Sequence, residues 1–157
     1  MVGRTGDASV VEVATITAEE TRPLRHLVLR PTQPAEATEY PGDHDPDTRH
    51  FGAFDGGRLV GIASLYRESR VGGPADGWRL RGMATAVDSR GRGAGRALLS
   101  ACRRHVDSGG GGELWCNARM AAHGFYAAAG FKAVGPQFDI DDIGAHVVMR
   151  IEVAATR

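Results

Sequence analysis

The sequence predicts one mixed α/β domain, in which a single sheet of about seven strands is flanked by helices. The length of 157 residues fits one compact domain. Along the chain, short segments that are β-rich or alternate in apolar character are interspersed with segments of helical periodicity. No internal repeat and no linker divides the chain. We expect the domain to span residues 10–153, after a flexible, small and polar N-terminal segment at residues 1–9.

The first part of the chain predicts a strand, a helix and a long loop. Residues 10–16 are β-rich, and Thr17 then precedes two acids in the manner of a helix N-cap. Apolar residues at helical spacing carry this helix to about residue 30. Residues 31–48 contain four prolines and many acids, and loops of this length are often lids or substrate walls.

The remainder predicts the rest of one sheet. Alternating patterns and the turn Asp55-Gly56-Gly57-Arg58 indicate a hairpin, and a further strand follows it. A glycine run at residues 109–112 ends the second helix. The predicted strands lie at 50–54, 59–66, 78–87, 113–116, 131–134 and 146–153, and the helices at about 97–108 and 121–129. The acidic segment 139–142 is expected to connect the last two strands.

Composition excludes several classes of partner. The formal net charge is zero and the pI is about 7.0, which argues against a nucleic-acid or anionic-membrane binder that works through bulk electrostatics. No apolar run approaches membrane-spanning length. Cys102 and Cys116 lie in apolar segments and are predicted to be buried free thiols. We therefore expect a cytoplasmic protein.

The turn Arg90-Gly91-Arg92-Gly93-Ala94-Gly95 follows a predicted strand and opens a predicted helix. Such a turn can direct several backbone N–H groups at one anion, and the helix N-terminus adds partial positive charge. Glycine permits the close approach and the positive φ that this requires. Arg96 adds a third cation beside Arg90 and Arg92. The turn is therefore a candidate phosphate site.

Two common phosphate motifs do not fit this turn. A Walker A loop needs Gly-Lys before Ser or Thr, and the only lysine is Lys132. A dinucleotide fingerprint needs a third glycine at a position that Arg96 or Leu98 occupies. An RNA-binding arginine-glycine run is disfavoured, since such runs are usually long and disordered. A turn without any ligand stays open on these residues alone.

Two blocks of residues carry a family resemblance. The first is Arg90-x-x-Gly93-x-Gly95 after the strand Leu80–Thr85; the second is Asn117-Ala118-Arg119, Ala122 and Phe125-Tyr126-x-x-x-Gly130-Phe131. With them, residues 51–150 resemble the GCN5-related N-acetyltransferase (GNAT) family. The ending from Gln137-Phe138 to His146–Arg150 is similar to small bacterial acetyltransferases of the ElaA-like subgroup.

The resemblance implies a GNAT-type sheet and an acetyl-CoA site. The sheet would be mostly antiparallel and splayed between strands four and five, where the pantetheine arm enters and pairs with the backbone of Met83 and Thr85. The pyrophosphate would meet the amides of Arg90, Gly91, Arg92, Gly93, Ala94, Gly95 and Arg96. Asn117 would hydrogen-bond the cofactor. Acetyl-CoA is then the acyl donor, and no metal is required.

The resemblance also implies direct attack of a primary amine on the thioester, without a covalent enzyme intermediate. Backbone N–H groups near Thr85 would stabilise the developing oxyanion. Tyr126 matches the family's general acid, because a phenol with a reference pKa near 10 keeps its proton at neutral pH. The alternative is a packing tyrosine beside Phe125 and Phe131.

The sequence does not assign the general base. Some relatives use a glutamate on the fourth strand, where this chain has Arg81 and Gly82. Candidates for the base or for substrate binding come from the loop and the strands, and a water chain is the alternative. These candidates are Glu39, Asp43, His44, His50 and His146. His44 among Asp43, Asp45 and Asp47 does not have the spacing of a metal site.

Three questions stay open at this level. A non-catalytic CoA-binding sensor or interaction module on the same fold is the alternative to an enzyme. The acceptor is a small-molecule or peptide amine, which the acids of residues 31–48 would attract unless they belong to an ordinary solvated loop. The acyl preference is undecided, and so is whether the last strands form a homodimer.

Overall fold

The computed structural model describes residues 11–156. The expected flexible segment 1–9 and the start of the predicted domain at Val10 lie outside these residues. The strands are β1 (Glu12–Ile16), β2 (Arg49–Asp55), β3 (Arg58–Arg67), β4 (Trp78–Thr85), β5 (Gly112–Arg119), β6 (Lys132–Ile140) and β7 (Gly144–Val153). The α-helices are α1 (Ala18–Leu24), α2 (Ala94–Ser108) and α3 (His123–Ala128).

The predicted fold class is confirmed. One seven-stranded sheet has the order β1-β2-β3-β4-β5-β7-β6. The pairs β1–β2, β2–β3, β5–β7 and β6–β7 are antiparallel, and β4–β5 is parallel. The parallel ladder joins Trp78 to Leu114 and Arg79 to Trp115, at the beginning of both strands.

The described chain divides into two compact units. The first holds the described residues up to Tyr66 together with Gly82–Arg104, and the second holds Arg67–Arg81 with the described residues from His105 onward. The core of the first unit includes Ile16, Leu24, Ile62, Ala84 and Ala86. Buried residues of the second unit include Leu114, Trp115, Phe131 and Met149.

Helix α1 begins where the sequence predicts it but ends differently. The Thr17 hydroxyl accepts a hydrogen bond from the Glu20 amide at 3.1 Å, and the Glu20 carboxylate accepts one from the Thr17 amide at 2.8 Å. This reciprocal capping box satisfies two helix-end donors. After Leu24 the backbone widens into a π-helical segment at Arg25–Leu29. Such segments are rare and often mark functional regions.

The sixth strand is longer than predicted. We expected a strand at 131–134 and a loop through 139–142, but β6 runs from Lys132 to Ile140 and pairs with β7 at both ends. Gly135 and Pro136 lie in an irregularity between Val134 and Phe138, where the ladder shifts. A proline is tolerated in an edge strand or at a bulge, so these residues interrupted the pattern but not the strand.

Both cysteines are buried and free, as predicted. No helix within residues 11–156 combines the length and apolar character needed to cross a membrane. Across the same residues no group of three or more His, Cys, Asp or Glu side chains is arranged to hold a metal ion.

Candidate functional site

The turn at residues 90–93 connects β4 to helix α2 in the first unit. A short 3₁₀ segment at Val87–Ser89 follows β4, and α2 begins at Ala94. Gly91 and Gly93 have φ values of +83° and +87°, and a Cβ built on either would have no heavy atom within 4 Å. The turn is therefore open to solvent, in a backbone conformation that glycine adopts most readily.

The backbone N–H groups of this turn are available to a ligand. Among residues 11–156, the amides of Gly91, Arg92 and Gly93 donate to no intramolecular acceptor. The amides of Ala94, Gly95 and Arg96 belong to the first turn of α2, where a helix has no internal acceptors. The first hydrogen bond of the helix runs from the Ala97 amide to the Gly93 carbonyl at 3.0 Å. The turn thus has the donors that an anion requires.

Three arginines surround the turn, and their side chains are exposed. The Arg90 Nε donates to the Thr85 carbonyl at 3.4 Å, and an Arg92 terminal nitrogen lies 3.2 Å from Asp55 Oδ2. Arg96 is exposed at the start of α2. Surface ion pairs of the Arg92–Asp55 kind contribute about 1 kcal/mol or less. Arg92 can therefore leave Asp55 for a phosphate at little cost.

Strand β4 carries the other cofactor residues predicted in the first unit. Met83 and Thr85 are half-buried near its C-terminal end. Gly82 precedes them with a φ of +69°, which interrupts the extended backbone in the middle of the strand. The Ala86 amide, just beyond the strand, donates to the Val60 carbonyl of β3 at 2.7 Å. The backbone near Met83 therefore departs from regular strand geometry.

Asn117 and Tyr126 lie in the second unit. Asn117 is half-buried near the end of β5, opposite Val148 of β7. Tyr126 of α3 is buried, and its ring meets those of Phe125 and Phe131 edge-to-face, with centroids 5.1 and 5.4 Å away. This aromatic packing is the alternative role that the sequence left open for Tyr126.

Cys116 lies beside Tyr126. Burial raises the pKa of the Cys116 thiol to about 12, and a hydrogen bond from Tyr126 opposes this shift only in part. A thiol that keeps its proton at neutral pH is a poor nucleophile. Cys116 is therefore a neutral neighbour of the Tyr126 hydroxyl, and the site has no activated cysteine here.

His50, one of the candidate bases, is a buried and fully hydrogen-bonded residue. Its Nε2 lies 2.9 Å from the Asp43 carbonyl and therefore donates to it, and its Nδ1 lies 2.7 Å from the Ser64 hydroxyl. Burial lowers the pKa of His50, and the carbonyl contact only partly offsets this. A neutral imidazole with both nitrogens engaged has a structural role in this geometry.

The other three candidate bases lie in the long loop and on strand β7. His146 is buried on β7, where its Nδ1 donates to the Gly144 carbonyl at 2.7 Å. Glu39 forms an exposed ion pair with Arg22 at 3.0 Å. His44 is 72% exposed and lies 3.6 Å from Glu19. Glu39 and His44 thus belong to the long loop of the first unit, and His146 to the second unit.

Asp43, the fifth candidate, is held in a buried ion pair that the sequence did not reveal. Arg25 contacts both carboxylate oxygens, at 2.8 and 3.0 Å, and the Tyr66 hydroxyl donates to Oδ1 at 2.5 Å. Burial would raise the pKa of Asp43, but these hydrogen bonds and that from the Tyr40 amide lower it. A carboxylate bound in this way is a weak base.

A second buried carboxylate, Glu113, was also missed. It is 1% exposed at the beginning of β5. Arg70 contacts it at 2.9 Å and Arg150 at 2.5 Å. Burial opposes ionisation of Glu113, yet the two arginines lower its pKa. This cluster joins β5, β7 and the segment before β4 within the second unit.

Comparison with known proteins shows the family to which the chain is similar. The family model described as Acetyltransferase (GNAT) domain matches residues 13–153. The chain is 40% identical over 141 residues to YitI of Bacillus subtilis, an N-acetyltransferase named as uncharacterized, covering 89% of this chain and 95% of that protein.

Solved structures share the fold at low sequence identity. An aminoglycoside 6'-N-acetyltransferase complexed with coenzyme A has a TM-score of 0.72 at 16% identity, covering 93% of this chain and 99% of that one. The Escherichia coli ribosomal-protein-S18-alanine N-acetyltransferase has a TM-score of 0.75 at 15% identity, covering 94% and 97%. Escherichia coli ElaA has a TM-score of 0.69 at 19% identity, covering 90% and 99%.

Proposed function

Since the chain belongs to the GNAT family and is an N-acetyltransferase, we propose that it transfers the acetyl group of acetyl-CoA to a primary amine. The domain that performs this reaction spans residues 10–153. The amine attacks the thioester carbon directly, the carbon–sulfur bond breaks, and the departing thiolate takes a proton. No enzyme-bound acyl intermediate forms in this scheme, and Cys116 has no part in it.

The observation that carries the proposal is the open turn at the N-terminus of α2. Its free amides, the positive φ values of Gly91 and Gly93, and three exposed arginines fit a pyrophosphate. A Cβ at either glycine would enter the space that the ligand needs. Met83 and Thr85 supply the backbone expected along the pantetheine arm, and Asn117 is a further cofactor residue. This chemistry fits coenzyme A without a metal.

Tyr126 is the proposed general acid. Its hydroxyl would donate a proton to the CoA thiolate as the carbon–sulfur bond breaks. The contact with Cys116 supports this, because a sulfur atom lies beside the Tyr126 hydroxyl. The two flanking aromatic rings restrict the position of the Tyr126 ring and therefore of its hydroxyl oxygen.

A cationic amine is the proposed acceptor. Of the five acids in residues 31–48, Asp43 is neutralised by Arg25 and Glu39 is paired with Arg22. Glu36, Asp45 and Asp47 are exposed, and no ion pair to them occurs among the described residues. These three carboxylates favour the approach of a positively charged substrate. Deprotonation of that amine is assigned to water, since His50 and Asp43 are both bound internally.

The alternative that the sequence left open is a CoA-binding protein that performs no transfer. Release of free thiol from acetyl-CoA, measured across a panel of polyamines, aminoglycosides and peptide N-termini, separates the two functions. The enzyme releases thiol in an amine-dependent way. Saturable CoA binding without release by any amine would support the sensor, and absence of binding would exclude both.

A further inference from the structure

Arg25 is a fully buried cation that joins three elements of the first unit. It begins the π-helical segment after α1 and is 0% exposed. Its NH1 donates to the Thr38 carbonyl at 2.8 Å, and its NH2 donates to the Ser64 hydroxyl at 3.0 Å. NH2 also lies 3.1 Å from the Tyr66 hydroxyl. One guanidinium thus links the end of the first helix, the long loop and strand β3.

Asp43 completes this cluster from the loop. Its carboxylate accepts two hydrogen bonds from Arg25, at 2.8 and 3.0 Å, one from Tyr66 and one from the Tyr40 amide at 2.9 Å. Bidentate pairing fixes both partners in one geometry. A buried pair of this kind contributes little net stability, but removing one partner costs several kcal/mol. The ion pair therefore holds the loop and the helix end in one conformation, and adds little to the net stability of the fold.

The cluster also touches the middle of strand β4. The Tyr40 ring covers the Arg25 guanidinium, with the ring centroid 4.0 Å from Cζ. A Cβ built on Gly82 would lie 3.3 Å from Tyr40 Cε2 and 3.5 Å from Arg25 Nε. Within residues 11–156, this buried Nε has no hydrogen-bond acceptor. Buried polar atoms normally have a hydrogen-bond partner. Because Arg25 Nε has none, the hydrogen bonds of the two terminal nitrogens determine that Arg25 Nε lies beside Gly82.

We propose that Arg25 and Asp43 are positioning residues for acetyl transfer, which hold the β4 backbone at Gly82 and residues 38–43 of the loop in one arrangement. This inference rests on the proposed function, because the backbone of Met83 and Thr85, which follow Gly82 in the strand, is assigned to the pantetheine arm. The loop that carries the proposed acceptor-attracting acids and the strand assigned to the pantetheine arm then contact one buried ion pair.

The test uses Asp43→Asn, which keeps the shape of Asp43 but removes its charge. Peptides containing Gly82–Thr85 should exchange amide hydrogen for deuterium faster than in the wild type, without ligand, and so should peptides of residues 38–43. The value of kcat should fall by about 10- to 100-fold, since small misplacements of reacting groups cost this much. KM for acetyl-CoA should rise by a smaller factor than kcat falls, because the turn at residues 90–93 is intact and only the backbone along the pantetheine arm is loosened.

Glu113→Gln is the matched control, because it also removes the charge from a buried carboxylate bound by arginine. It should lower the melting temperature as Asp43→Asn does, yet leave kcat and the exchange of Gly82–Thr85 unchanged. Tyr66→Phe removes one hydrogen bond to Asp43 without changing charge, and should shift both readouts in the same direction by less. Tyr66→Phe also replaces Asp43→Asn as the test variant if Asp43→Asn does not fold.

Two results would overturn the inference. One is unchanged exchange at Gly82–Thr85 in both Asp43→Asn and Tyr66→Phe. The other is an equal loss of kcat in Glu113→Gln, which would attribute the effect to general destabilisation. Failure of the proposed function would look different: the wild type itself would release no thiol from acetyl-CoA, while the exchange data would still report on the coupling of loop and strand.

Discussion

At the scale of single residues, the hydroxyl of Tyr126 carries the clearest chemical prediction. Tyr126→Phe keeps the ring and its contacts with Phe125 and Phe131 but removes the proposed proton donor. We expect kcat to fall by about 10²-fold or more, as is usual when a general acid is removed. CoA affinity should be retained, because the turn at residues 90–93 is distant in sequence and unchanged.

The measurement is steady-state thiol release together with calorimetric titration of CoA. A loss of CoA affinity equal to the loss of rate would make Tyr126 a binding residue. A normal kcat would make it a packing residue, as its aromatic neighbours permit. Only a selective fall in kcat agrees with a general acid.

His50 predicts how stability depends on pH. Its pKa is lowered in the folded protein, so the unfolded chain binds a proton first as the pH falls below the ordinary value of about 6.5. The stability that neutral His50 contributes is present above that pH and is lost on acidification, by at most about 1.4 kcal/mol per pH unit. Asp43 also has a lowered pKa, but its contribution is lost at more acidic pH, below about 4.

His50→Gln should therefore flatten the fall in unfolding free energy between pH 7 and pH 5, measured by urea denaturation. His44→Gln is the control, since His44 is 72% exposed and its removal should leave the slope unchanged. An identical slope in the wild type and in His50→Gln would show that other groups cause the acid sensitivity.

The residues that sequence analysis missed share one physical property. Arg25 and Glu113 are charged yet almost fully buried, and burial of a charge depends on partners that the chain brings from far away. The partners of Arg25 lie 13 to 41 residues along the chain. The local periodicity of the sequence does not predict such long-range ion pairs. The turn at residues 90–95 was predictable because its glycines, arginines and flanking elements are contiguous.

At the scale of elements, the limits of prediction follow the same reasoning. Seven strands and three helices were recognisable, since most of them have apolar residues at the period of a strand or a helix. The second half of β6 was not, because Gly135, Pro136 and the acids around residue 140 resemble a loop. The strand persists there because its partner β7 supplies the hydrogen bonds, for example between Phe138 and His146.

The turn that begins α2 gives the prediction at this scale. Gly93→Val should abolish detectable CoA binding, because a side chain would fill the open space beside the amides and strain a backbone at φ +87°. Gly57→Val is a matched control: Gly57 has a φ of +84° in the β2–β3 turn, with equally open surroundings. Both variants should lose a similar amount of stability.

Calorimetric titration of CoA, together with thermal unfolding of each variant, measures the two effects separately. Gly57→Val should bind CoA as the wild type does. Equal binding by Gly93→Val and the wild type would remove the turn from the site. Loss of binding in both variants would point to an effect of destabilisation.

At the scale of the whole molecule, the zero net charge means that the protein has no general attraction for anions. Recognition of a phosphate ligand must therefore be local, at the turn and its three arginines. A ligand whose pantetheine arm also engages the β4 backbone should bind, whereas a phosphate ligand without such an arm should not. This separates coenzyme A from other nucleotides that carry a pyrophosphate.

Thermal unfolding tests this difference on the intact protein. A ligand at 100 times its Kd stabilises the native state by about 2.7 kcal/mol. For a chain of 157 residues this raises Tm by roughly 5–10 °C. Acetyl-CoA should produce such a shift, and ATP or NAD at the same concentration should not. An equal shift with ATP would show that the turn binds phosphate without recognising the arm, and no shift with any CoA ester would contradict the proposed donor.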